Sequence, residues 1–183
     1  MDTLFDRSDT GNVVQSAVMS LSAGQRELKR AAKLEGKLGE LEGKKLESTR
    51  ANISQAYENA IESFQDAIRS EPKMVEAYVG LSRALRAAGK FRDALLVSSQ
   101  GLKLAPEDDD LFAAWAESIM ELDMLGDATR AYSQLKAASP ARAKLLMQLM
   151  KDWLSRRRAE PGEISEADVD RLADWIAEQE RAG

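Results

Sequence analysis

One interval constrains this chain more than any other feature: Pro72, Pro106 and Pro140 stand 34 residues apart, and Ala60, Ala94 and Ala128 keep the same spacing. A fixed period of this length marks a row of supersecondary units, each unable to bury its apolar face alone. In the central unit, Val75 to Asp108, apolar residues recur at helical spacing in two bursts: Ala77, Tyr78, Leu81, Ala84 and Leu85, then Phe91, Ala94, Leu95 and Leu102. Between them Ala88-Gly89-Lys90 breaks the first helix, because Gly reaches left-handed φ at no steric cost. Pro106 cannot continue the second helix, lacking an N–H and clashing with the preceding turn. The central unit is therefore a helix–turn–helix hairpin.

The residues at these positions resemble the tetratricopeptide repeat (TPR) family, whose pattern is aromatic-x2-Leu-Gly-x2-Tyr, Ala-x3-Phe and Pro. The central unit carries Tyr78, Leu81, Leu85, Ala94, Gly101 and Pro106, with Ser82 in place of the Gly and Ser98 in place of the aromatic. The next unit carries Phe112, Trp115, Ile119, Ala128, Tyr132 and Pro140. The preceding one matches only in its second half, through Tyr57, Ala60, Phe64, Ala67 and Pro72. A fourth starts in register with Leu146, Leu149 and Trp153 and stops at Glu160-Pro161-Gly162. The resemblance implies an all-α fold, a short right-handed helical-hairpin solenoid with extra N-terminal and C-terminal helices.

The expected organisation is an N-terminal tail and charged helix over 1–40, repeats over 41–158 and an acidic capping helix over 159–183. Within the repeats the units are 41–74 (degenerate), 75–108, 109–142 and a half repeat 143–158. Residues 1–10 read as a loose tail. Asp9, Thr10 or Asn12 then caps a short helix bearing Val13, Val14, Ala17, Val18 and Leu21, which serves as a packing cap or as a partner helix in a groove. From Gln25 to Glu47 the leucines keep near-helical spacing, with a break expected around Gly36 to Gly43. No breaker lies between Lys44 and Arg69, so this stretch is either a hairpin or one continuous helix. After Pro161-Gly162, Ser165 caps a last helix whose Val169, Leu172, Trp175 and Ile176 face inward.

The absence of histidine and cysteine removes the commonest general base, the commonest metal ligand and all thiol chemistry. No catalytic residues, cofactor or metal are expected, and the chain reads as a non-enzyme. Glu107-Asp108-Asp109-Asp110 lacks the alternating ligands of a calcium loop and reads as acids at a helix start. The net charge of −5 is banded: eight basic against five acidic residues over 26–50, eight acids and no base over 106–127, and eight acids against two arginines over 160–183. Such a surface suits protein partners; a nucleic-acid role needs a sustained basic face, and Arg156-Arg157-Arg158 reads as a solvated helix end. The start of the chain lacks the pattern of a secretory signal and no apolar run reaches membrane-spanning length, so a cytoplasmic location without membrane insertion is expected.

What remains is a surface. In the family, first helices of successive hairpins line a concave groove that holds a peptide or helix. Register then nominates Val79, Ala113 and Met147, then Arg83, Glu117 and Lys151, then Arg86, Met120 and Leu154 as a partner-binding groove. The resemblance also offers a test for the chaperone-tail clamp of some members, and the chain fails it: of Lys45, Thr49, Gly80, Asp110 and Ala114, only Lys45 has the required chemistry. The implied function is a non-catalytic adaptor or scaffold. The alternatives are a bacterial secretion or assembly chaperone and a self-assembling scaffold, a homo-oligomer in which one copy's N-terminal segment docks on the next.

Overall fold

Long runs of Ala, Leu, Glu, Lys and Arg with few β-branched residues favour helix throughout. The computed structural model, which describes residues 7–159 and 165–182, contains eight α-helices and, among those residues, no strand. They are α1 (Arg7–Glu35), α2 (Gly43–Ser70), α3 (Val75–Ala87), α4 (Phe91–Leu104), α5 (Asp109–Glu121), α6 (Leu125–Ala138), α7 (Pro140–Ala159) and α8 (Glu166–Arg181). They form two compact units, Met1–Pro106 and Glu107–Gly183. The all-α helical-hairpin class expected from the sequence is the one found.

In the first unit α1 and α2 pair along their lengths in opposite directions: Tyr57 of α2 donates its phenol to Glu35 at the end of α1, 2.6 Å away. Ala17, Gly24 and Ala31, seven residues apart, are all buried on α1, so small residues let the two helices approach closely. The short capped helix expected near Asn12 is corrected here: helix begins at Arg7 and runs unbroken through Gly24, whose missing side chain accommodates the Phe64 ring. The expected loose tail lies outside the described residues as far as residue 6. The chain breaks at Gly36–Glu42, where a 3-10 turn (Leu38–Glu40) is followed by Gly43 at φ 53°. Of the two readings for 44–69, the continuous helix is correct, because nothing in α2 interrupts its ladder of backbone hydrogen bonds.

The core of this unit centres on Phe64, fully buried among Ala60, Ile61, Leu81, Ala84, Leu85 and Ala94. A second cluster joins Ala31 to Ile53, Ala56 and Tyr57. The α3–α4 turn places Gly89 at φ 72°, with the Gly89 N–H on Arg86 O at 2.9 Å and the Lys90 N–H on Leu85 O at 2.8 Å, a double closure that satisfies two helix-end carbonyls. Lys90 Nζ reaches back to Glu58 at 2.7 Å.

In the second unit α7 packs on α5 and α6, and α8 packs on α7. Asp108 caps α5, its carboxylate accepting the Leu111 N–H at 2.8 Å. The acidic run thus serves a helix start, with Asp109 and Asp110 in the first turn against the positive end of the dipole. Ser165 holds the N-cap position of α8, but its side chain makes no capping hydrogen bond. Val169, Leu172 and Ile176 are buried as expected, whereas Trp175 is only half-buried. The stop expected at Pro161-Gly162 lies outside the described residues.

Candidate partner-binding surface

Each nominated residue is placed by the periodicity of its own helix. On α3, burial of Ala77, Tyr78, Leu81, Ser82, Ala84 and Leu85 turns those residues inward and leaves Val79 half-buried, Arg83 exposed and Arg86 half-buried. On α5, Ala113 and Glu117 are half-buried; on α7, so are Met147 and Lys151. Arg86 and Glu117 each already interact with a neighbouring group.

Two nominated residues are withdrawn by their burial. Met120 has 0% of its surface accessible and Leu154 8%, so both are core residues that a partner cannot reach without unpacking them. Nearby in sequence, Arg157 of α7 ion-pairs with Glu121, tying the ends of α5 and α7 together. Arg157 also lies over the Trp153 ring, 5.2 Å from its centroid. Lys151 is engaged too, by Glu180 of α8.

The basic run therefore has internal duties. Arg157 holds α5, and Arg158 approaches Asp170 of α8 at 3.7 Å, leaving Arg156 exposed. A comparable clasp works at the other end of α7, where Arg142 sits over the Phe112 ring at 5.1 Å and near Asp109 at 3.7 Å.

Two features escaped the sequence reading. The first is an apolar flank on α1: Val14 and Val18 are each 48% exposed and Met19 66%. The residues were legible as apolar, but not that Val13, Val14 and Val18 stay exposed while Ala17 is buried. The second is a cleft of about 380 Å³ between α6 and α8, lined by Asp123, Leu125, Gly126, Thr129, Leu172 and Trp175, with Asp168 and Arg171 at its edge. The half-exposed position of Trp175 is its clearest mark, and nothing in one helix's periodicity shows how much of the indole a neighbouring helix covers.

No group of three or more acidic side chains among the described residues is arranged to hold a metal ion. No helix among them is long and apolar enough to cross a membrane. Residues 52–117 match the family model described as tetratricopeptide repeat. No curated protein and no solved structure matches the chain.

Proposed function

Starting from a chain that carries tetratricopeptide repeats over residues 52–117, a kind of repeat that generally mediates protein–protein interaction, we propose that it is a non-catalytic adaptor working in the cytoplasm. In this reading a peptide or helix of a partner protein is gripped by outward residues of the hairpins' first helices. In the first unit these are Val79, Arg83 and Arg86; the second unit, taken by itself, offers Ala113, Glu117, Met147 and Lys151. No cofactor is involved.

The observation that supports this reading is the division of α3: six residues pack inward, while Val79 and Arg86 are half-buried and Arg83 is exposed, at i, i+7 and i+4. Affinity capture from cell extract with mass spectrometry tests it. The double substitution Arg83→Glu, Arg86→Glu is expected to lose the captured partners while keeping the helical circular dichroism of the parent. Capture of an identical set by the double variant sinks the proposal.

The exposed flank of α1 favours a second reading, the self-assembling scaffold. Val14, Val18 and Met19 are apolar surface that a second copy could cover. Under it, sedimentation across concentration shows a larger species that Val14→Asp with Val18→Asp disperses; a monomer at every concentration removes it.

A further inference from the structure

The α6–α8 cleft of the second unit belongs to neither reading, and its chemistry is specific. Its floor is apolar, with Leu125 9% and Leu172 3% exposed. One wall is Trp175, whose indole is held edge-on by Tyr132 with ring centroids 5.3 Å apart. The rim carries two carboxylates. Asp168, in the first turn of α8, is paired with Arg171. Asp123, in the α5–α6 turn, has no ion pair among the described residues. Gly126 adds no side chain to the lining, and a Cβ built there meets nothing within 4 Å.

These walls discriminate between occupants. A purely apolar side chain would cover Asp123 without pairing it, leaving a desolvated charge. An acidic side chain would face two carboxylates with one arginine already committed. A lysine or arginine satisfies both parts, because its aliphatic stem lies on apolar surface and its charged head meets an indole face or a carboxylate. The surroundings agree in sign: residues 107–183 hold seventeen acidic against ten basic residues.

We propose that this cleft is a docking site for a basic peptide segment of a partner protein, receiving one lysine or arginine side chain between Leu172, Trp175 and Asp123. It shares no residue with the first-helix surface, so the two can succeed or fail independently.

Isothermal titration of the full-length chain tests it with an acetylated, amidated GRARG pentapeptide and its GEAEG counterpart. GRARG is expected to bind one-to-one and GEAEG not at all. Gly126→Leu adds a bulky side chain to the lining at a position where its Cβ meets nothing within 4 Å, and is expected to weaken GRARG binding by at least about 10-fold. Asp123→Asn removes the rim charge with a residue that tolerates positive φ, and is expected to weaken it about 5-fold. Arg92→Ala, an exposed change on α4 of the first unit, leaves the affinity unchanged. Absence of GRARG binding, equal binding of GEAEG, or parental affinity in Gly126→Leu overturns the proposal. Should Gly126→Leu fail to fold by circular dichroism, parental affinity in Asp123→Asn overturns it instead.

Discussion

Phe64 is the most tightly constrained side chain in the first unit. Its ring is fully buried, and a Cβ added at Gly80 would stand 2.4 Å from it while one at Gly24 would stand 2.8 Å away. Because glycines hem the ring from two helices, it has no direction in which to retreat. Gly→Ala inside a helix ordinarily gains up to about 1 kcal/mol, but here overpacking outweighs the gain. Gly80→Ala is expected to lower stability by about 1–3 kcal/mol, and Phe64→Leu to recover part of that loss in the double variant; urea denaturation measures both. Phe64 was legible from the Ala60-x3-Phe64 spacing, while the two glycines were not, since spacing says which face turns inward and never which residue lies across from it.

Tyr57 makes a second residue-scale argument. Burial, reinforced by the hydrogen bond to Glu35 and its charge, pushes the Tyr57 phenol well above its ordinary value. A group whose folded pKa is raised contributes stability that is complete below the unfolded value, about 10 for tyrosine, and is lost as pH rises towards the folded one. Denaturation midpoints are therefore expected to show no Tyr57-linked change up to about pH 10 and to fall above it. Tyr57→Phe is expected to be less stable at pH 7 by roughly 1–3 kcal/mol, the worth of a hydrogen bond to a charged acceptor, and to show a shallower alkaline decline.

At the scale of elements, the 34-residue period reaches into backbone conformation. Gly89 and Asp123 occupy the same register position, and both are left-handed, at φ 72° and 61°. The α5–α6 turn repeats the closure of the α3–α4 turn, with the Met124 N–H on Ile119 O at 2.8 Å. Asp pays for a conformation that Gly adopts freely, so Asp123→Gly is expected to raise thermal stability by about 1 kcal/mol, read as an upward shift of the melting temperature. The helices from α3 to α7 were legible because proline, glycine and helical spacing coincide at their ends. The N-terminal pair was less so: Gly11 and Gly24 look like interruptions to α1, yet Gly24 is required by a contact with a helix forty residues further on. For the candidate surface, register placed seven of nine residues where some surface remains and misjudged Met120 and Leu154. Equal register does not mean equal cover: Met120 and Leu154 are buried, whereas Arg86, in the same row, keeps some surface.

At the scale of the molecule, charge is divided between the units. Residues 1–106 hold sixteen basic against fourteen acidic residues, a net +2, and residues 107–183 ten against seventeen, a net −7. Fields of this kind alter encounter rates more than bound-state affinity. Association of a basic partner segment with the full chain is expected to slow by about 10-fold or more as salt rises from about 20 mM to 500 mM, while dissociation changes little; stopped-flow mixing distinguishes the two.

Modular arrays can gain or shed terminal repeats because each module touches only its immediate neighbours. Phe64 breaks that freedom, since Gly24 of α1 and Gly80 of α3 press on the same ring. The leading helix is consequently a keystone and not an ornament. Excising it would uncork an aromatic plug shared by three segments, so the repeats that follow could not be transplanted elsewhere as an off-the-shelf cassette.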